Sequence, residues 1–320
     1  MRWAGIALAG LLLQQAGSLP QAPVERRPPP PQDSSQFPTI RVESRLVNVP
    51  LNVVDVHDAP VGGLQKDDFE VSEDGKPQSI AFFDRESSTP LSIVLAIDTS
   101  ESVFGDVKLE RDAAKHFVKA LLREQDEIDL MDFADAVREI VPFTNQAKRI
   151  DDGLGALQSG DATALYNAIY LASEQLAKTK NEEGRRRVLV LITDGENTVK
   201  GKTQYAQAVE QAQRAGAMVY ALIIVPIVAD AGRNVGGEHA LIQMAEDTGG
   251  KYYYVGDPRD LGAALEHVSD DLRTQYVLGY YAPPRDSDTS FRAIQVKMKD
   301  PALAAKYNLR YRSGYYADAR

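Results

Sequence analysis

The run Leu91-Ser92-Ile93-Val94-Leu95-Ala96-Ile97-Asp98 restricts the fold more than any other part of the chain. A strand this continuously apolar has no polar face to give to water, so it must be covered on both sides, as in a sheet flanked by helices. Beyond Asp98 the chain alternates between helical and strand periodicities. Apolar residues at 114, 117, 118 and 121 predict a helix over 107–122. Strands over 127–133 and 137–143 come next, too close in sequence for a crossover and therefore antiparallel to each other. Then come a helix at 165–177, a strand at 188–193, a helix at 205–215, a strand at 218–225, a helix at 238–248 and a strand at 252–255. A last helix begins with Asp257 as N-cap and Pro258 in its first turn, and carries Leu261, Leu265, Val268 and Leu272 on one face. Strands alternating with helices predict a doubly wound, mostly parallel α/β domain of Rossmann-like build over 90–273.

The flanks read differently. Val47, Val49, Leu51 and Val53 fall at period two, and Asp74-Gly75 marks a hairpin between Phe69-Glu70-Val71 and Gln78-Ser79-Ile80-Ala81-Phe82. After the α/β region, strands are expected at 275–281, 291–298 and 309–316. Neither flank has enough strands to close a core alone. The expectation is one small all-β sandwich built from 39–89 and 274–320, with the α/β domain inserted in it. The first parallel strand begins and the last helix ends at one edge of the sheet, which leaves the opposite edge free for a ligand. Half of the 14 tyrosines follow Arg273. The pairs Tyr280-Tyr281 and Tyr315-Tyr316 read as sandwich packing in preference to a glycan- or peptide-binding face.

At the N-terminus, Arg2, the apolar residues 3–13 and the small residues Ala16, Gly17 and Ser18 have the three parts of a secretory signal, placed at 1–18. The apolar run is too short to span a bilayer. A proline-rich extended linker, with Pro28 to Pro31 at its centre, occupies 19–38. The mature chain is therefore expected to be secreted or to lie in the periplasm or cell envelope, with no transmembrane segment. With no cysteine in the chain, a lipid-modified cysteine anchor and thiolate zinc sites are excluded. The 4 histidines lack zinc spacing. A net charge of −10 argues against a nucleic-acid partner. The basic run Arg185-Arg186-Arg187 reads as a solvated entrance to the next strand.

In an open α/β sheet, ligands bind beyond the carboxyl ends of the strands where strand order reverses. The loops expected there are Asp98-Thr99-Ser100-Glu101-Ser102, Gly160-Asp161-Ala162-Thr163 and Asp194-Gly195-Glu196-Asn197. Their carboxylates and hydroxyls are hard oxygen donors of the kind Mg²⁺, Mn²⁺ and Ca²⁺ take. An acid ending an apolar strand is costly unless something neutralises it, and a divalent cation does so. Glu101 and Glu196 either rim such a site or face solvent.

Asp98-x-Ser100-x-Ser102, the distant Thr163 and the Asp194-Gly195 pair resemble, in order, the metal-ion-dependent adhesion site of the von Willebrand factor type A family. That resemblance implies Ser100, Ser102 and Thr163 as direct metal ligands, Asp98 and Asp194 as water-mediated or switchable ligands, and a carboxylate of a protein ligand completing the octahedron. The flanks are similar to bacterial, acidobacterial-type proteins described as von Willebrand factor A-related, on Leu64-x-x-x-Asp68-Phe69-x-Val71, Glu73-Asp74-Gly75-Lys76 and Leu278-Gly279-Tyr280-Tyr281. The function implied is divalent-metal-dependent adhesion or protein binding without catalysis, Mg²⁺ being the expected ion. The alternatives are a scaffold subunit docking on an envelope complex and an Mg²⁺-dependent phosphohydrolase. A phosphohydrolase of the haloacid dehalogenase type needs an acid where Ser100 stands. Nucleotide binding needs glycines in the first turn, and serine-nucleophile chemistry lacks a paired histidine.

Overall fold

In the computed structural model the alternating and the continuous apolar patterns separate into different sheets, as their burial requires. Residues 45–85, 89–101, 103, 107–179, 185–199, 203–225, 234–283 and 290–317 are described. The expected signal segment (1–18), the linker (19–38), the strand onset at 39–44 and Ser102 lie outside the described residues. The N-terminal flank forms β1 (Arg45–Val54), β2 (Phe69–Glu73), β3 (Lys76–Gln78) and β4 (Ile80–Arg85). The middle forms β5 (Leu91–Asp98), α1 (Val107–Leu121), β6 (Glu127–Phe133), β7 (Val137–Thr144), α2 (Ala147–Leu154) and α3 (Leu165–Lys178). It continues with β8 (Arg186–Thr193), α4 (Tyr205–Ala215), β9 (Ala217–Ile224), α5 (Val235–Thr248), β10 (Lys251–Val255) and α6 (Leu261–Arg273). The C-terminal flank forms β11 (Tyr276–Ala282), β12 (Phe291–Met298), α7 (Pro301–Ala304), β13 (Asn308–Tyr311) and β14 (Gly314–Tyr316).

The central sheet has six strands in the order β10-β9-β8-β5-β6-β7. All its pairings are parallel except β6 with β7. Every residue of β5 is buried. Ile93, Leu95 and Ile97 pack on α1 and α6, while Val94 and Ala96 face α3 and α4. Full burial of such a side chain contributes roughly 1.5–3 kcal/mol, so this strand anchors both layers. The short helix α2 is absent from the sequence reading. Its sequence carries a single turn of apolar spacing, Ile150 with Leu154, and a Cβ at Gly153 would sit 2.4 Å from Val141. Only a glycine lets α2 lie that close to β7.

Both flanks contribute to both sheets of the sandwich, β13-β1-β11-β4 and β14-β12-β2-β3. Val47, Val49 and Leu51 from one sheet meet Phe69, Val71, Ile294 and Val296 from the other. The hairpin at Asp74-Gly75 forms with φ of 48° and 75°, the left-handed pair a tight two-residue turn needs. Two of the expected strands differ from the sequence reading. The segment after the hairpin breaks at Ser79 into β3 and β4, and the segment 309–316 breaks into β13 and β14, the halves in each case joining opposite sheets. At the second break the Ser313 amide donates to Asp247 O of α5 (2.9 Å), so a contact with the α/β body takes the place of a ladder bond.

Between the sheets Glu73 is buried and accepts from the hydroxyls of Tyr280 (2.8 Å) and Tyr315 (2.9 Å) and from Arg292 Nη1 (3.1 Å). Tyr280 and Tyr315 therefore pack as expected, but each also serves as a hydrogen-bond donor. Tyr281 is 56% exposed.

The sandwich meets the beginnings of the central strands. Asn52 Nδ2 contacts the Tyr220 hydroxyl (3.3 Å), and Arg186 Nη1 donates to Leu272 O (2.7 Å) and Gln275 Oε1 (2.6 Å). The expectation of a solvated basic run is therefore corrected. Arg186 is 6% exposed because β8 starts earlier than its apolar residues do, and its guanidinium neutralises the carbonyl end of α6.

Asp129 of β6 is wholly buried, with both carboxylate oxygens lacking a hydrogen-bond donor among the described residues. Burial, followed by the neighbouring Glu139 carboxyl, pushes it up to about 8 from 3.8. The folded chain therefore holds a proton that the unfolded chain releases, and stability falls as pH rises from about 4 to about 8. Asp129→Asn should stabilise the protein at pH 8, by an amount on the order of a few kcal/mol, and by little at pH 4. Calorimetric unfolding at both pH values checks this; an equal shift at both would contradict it. Arg292→Met, which strands the buried Glu73 charge, should lower stability by about 3–5 kcal/mol in denaturant titration.

Candidate functional site

Strand order reverses beside β5, which lies between β8 and β6, so the loops leaving β5 and β8 open a crevice at their carboxyl ends. Asp98 ends β5 with no solvent exposure. Its Oδ1 accepts the Ser100 amide (3.0 Å), and its Oδ2 accepts the Thr193 hydroxyl (2.6 Å). Thr193 in turn accepts the Gly195 amide (3.1 Å). One short relay thus links the loop after β8 to the acid at the end of β5.

Backbone bonds join the third loop to the other two. The Glu101 amide donates to Gly160 O (3.1 Å) and the Gly160 amide to Thr99 O (3.2 Å), a parallel bridge that extends β5 past its last regular residue. Gly160 is needed there, since a Cβ would lie 2.1 Å from Asp135 Oδ2, which accepts the Asp161 amide (3.1 Å). Three residues further on, Thr163 is 2% exposed. Its amide donates to the Thr198 hydroxyl (2.8 Å) and its carbonyl accepts the amides of Thr198 (3.0 Å) and Val199 (3.1 Å). Asn197 Oδ1 accepts the Tyr166 amide at the start of α3 (3.2 Å).

The loop after β8 is shaped by two glycines. Gly195 has φ +84°, and a Cβ on Gly237 would lie 1.9 Å from Gly195 O, so the loop rests directly on the first turn of α5. Asn234 caps that turn by accepting the Gly237 amide (2.9 Å). Asp194, half-buried, accepts the Glu196 amide (3.0 Å).

Burial raises the Asp98 carboxyl, the hydroxyls of Ser100 and Thr193 pull it down, and the charge of Asp194 adds to the rise; the net effect is to push it up to about 6. A buried acid with a second acid beside it, set among hydroxyls, is a donor set suited to a hard divalent cation. Among the described residues, no group of three or more histidine, aspartate or glutamate side chains is arranged to hold a metal. A carboxylate-only cage is thus not what this end of the sheet offers, whereas a mixed hydroxyl and carboxylate set fits.

Asp98, Ser100, Thr163 and Asp194 therefore stand on loops bonded to one another, and Ser102 lies outside the described residues. Of the acids left open by sequence, Glu101 is exposed and Glu196 half-buried. Sequence reading missed Thr193, Asn197, Thr198 and Asp135, which orient the loops. Thr193 had a signal, as the lone hydroxyl residue closing the aliphatic strand Val188-Leu189-Val190-Leu191-Ile192. The others are recognisable only once the loops are adjacent.

A profile for the von Willebrand factor type A domain matches residues 92–268. No curated protein matches the chain. Among solved structures, a von Willebrand factor type A protein from Catenulispora acidiphila is 11% identical over 88% of this chain and 76% of its own, with a TM-score of 0.50. Proximal thread matrix protein 1 from the mussel byssus, solved with a zinc-occupied MIDAS motif, is 14% identical over 63% of this chain and 50% of its own, with a TM-score of 0.50. BatB from Bacteroides thetaiotaomicron is 23% identical over 57% of this chain and 97% of its own, with a TM-score of 0.45. The profile match covers more than half of the chain, and with it the central sheet and its loops: the chain belongs to the von Willebrand factor type A domain family.

Proposed function

We propose that the chain is an extracytoplasmic, non-catalytic protein-binding or adhesion module. In this reading it holds a divalent cation, Mg²⁺ in preference to Mn²⁺ or Ca²⁺, at Asp98, Ser100, Ser102, Thr163 and Asp194, and grips a carboxylate of a protein ligand. The observation that carries the reading is the burial of Asp98 beside Asp194 at the end of the central strand, within loops bonded into one unit. Ser100, Ser102 and Thr163 would contact the cation, and Asp98 and Asp194 would act through water. When bound, a cation of this type offers an open coordination position to a ligand carboxylate.

The chain's own residues set the geometry. Thr193 and the Ser100 amide fix the Asp98 carboxylate, and Thr198 fixes the Thr163 backbone. The mussel protein of the same fold, with its zinc-occupied MIDAS motif, supports a cation at this position. An extracytoplasmic location rests on the signal-like pattern at 1–18, and no helix among the described residues is long and apolar enough to cross a membrane. The module is assigned to 90–273, inserted in a sandwich of 39–89 and 274–320.

With Mg²⁺ about a hundredfold above its Kd, the wild type should gain about 2.7 kcal/mol of stability, and Asp98→Ala and Asp194→Ala should each lose that gain. Equal melting shifts in all three proteins would refute the site. Thr193→Val should weaken Mg²⁺ affinity by roughly 10–100-fold in calorimetric titration while the fold persists, because it removes the donor that orients Asp98. Pull-downs from envelope and culture fractions with and without EDTA test the ligand. EDTA-sensitive capture of a protein, abolished by Asp98→Ala, is expected. Capture of a resident envelope complex would favour a scaffold role, and capture indifferent to EDTA would contradict metal-dependent gripping.

A further inference from the structure

The buried Asp129 of β6, with no donor for either carboxylate oxygen among the described residues, has no part in the proposed cation site. β6 keeps a regular parallel register with β5, so Asp129, Met131 and Phe133 share the face that α3 covers, and Val94 stands beside Asp129. α3 turns Leu165, Ala168, Ile169, Ala172 and Leu176 to that face, and its buried Ser173 gives its hydroxyl to Ile169 O (2.7 Å). Two residues along β6, Glu127 accepts the Ser92 hydroxyl (2.7 Å) and pairs with Arg185 (3.6 Å). Arg138 of β7 is committed to Asp132, its Nε lying 2.8 Å from Oδ1.

The remaining neighbour is Glu139, on the strand that forms the edge of the central sheet. Glu139 lies directly across from Met131, which sets it diagonal to Asp129 on the same face, within reach of a long side chain. Of the charged groups described, it is the one whose field raises the Asp129 carboxyl, and the two side chains meet at hydrogen-bond range. The register of β7 slips on both sides of Leu130, which puts Pro142 and Phe143 opposite Asp129, and a proline has no amide to offer. Two ionised carboxylates are acceptors only and cannot bond to each other. One proton between them makes a strong O–H···O⁻ bond and removes the repulsion of like charges.

We infer that Asp129 and Glu139 form a one-proton latch that fastens the edge strand β7 to β6 and lets go when the proton is lost. Glu139 is exposed, which gives the proton a route to solvent. With the latch closed the buried acid keeps its proton up to about 8, whereas an acid freed into water loses it near 3.8. Opening therefore becomes easier as pH rises between those values, by up to about tenfold per unit. An open β7 would also slacken the hold of Arg138 on Asp132, whose Oδ2 accepts the Gln158 amide (3.1 Å) two residues before Gly160. The latch thus reaches from the edge of the sheet to the third loop of the candidate site, and it does not depend on a cation being bound there.

The test is native-state amide hydrogen exchange on the full chain, read by mass spectrometry at about pH 6 and about pH 8 and repeated in low denaturant. With intrinsic exchange divided out, the opening constant of the β7 amides is expected to rise about tenfold or more at the higher pH in the wild type. That rise should be indifferent to low denaturant, as a local opening is, while β8 in the middle of the sheet follows global unfolding. Asp129→Asn leaves no proton to lose and Glu139→Gln leaves no second charge, so each should cut the rise to about twofold or less. No rise in the wild type, the same rise in both variants, or β7 and β8 opening together with one denaturant dependence overturns the inference. Should Asp129→Asn fail to fold, Glu139→Gln, a change at an exposed position, decides it by the same criterion.

Discussion

A carboxylate at the end of a strand with no exposed face is the constraint around which this molecule is arranged. β5 must be covered by helices on both sides, and its last residue, Asp98, is taken out of water with it. The Thr193 hydroxyl and the Ser100 amide supply hydrogen bonds that water would otherwise supply. The loops after β5 and β8 and before α3 are bonded to one another through Gly160, Thr163 and Thr198. The proposed cation chemistry depends on this stitching, since hydroxyl ligands are weak individually and need fixed positions to bind together.

The sandwich gives this arrangement its direction. Its contacts include Arg186 with Gln275 at a strand beginning, Ser313 with Asp247 at a helix end, and Asn52 with Tyr220 within β9. The acid-bearing loops lie at the opposite ends of the same strands. The two ends differ in charge as well as in cover, with acids and hydroxyls on one and a ring of arginines on the other. In the proposed reading, one face is offered to a partner while the framework is joined at the other.

The α/β body, with β5 ending at Asp98 and β8 just before Asp194, was legible because burial on two faces and burial on one face leave different periods in the sequence, whereas Thr163 stood out through the resemblance to the family motif. The hairpin at Asp74-Gly75 was legible because few residue pairs accept left-handed φ at both positions. The breaks at Ser79 and Arg312-Ser313 were not, since an apolar alternation reads the same whether its halves share a sheet or change sheets. The arginines at 185–187 were misread for a related reason. Arg186 donates to Leu272 O and Gln275 and Arg187 to Ala215 O, acceptors far off in sequence, and neutral carbonyls leave no charge pattern to find. Thr193, Asn197 and Thr198 look like ordinary polar residues until the loops they join are adjacent.

The most direct measurement of the central claim is a crystal structure of the protein grown with Mn²⁺, read by anomalous scattering. The account predicts a single strong peak beyond the end of β5, within bonding distance of the Ser100, Ser102 and Thr163 hydroxyls, with Asp98 and Asp194 reaching it through water. No peak at saturating Mn²⁺, or a peak away from these side chains, would contradict it.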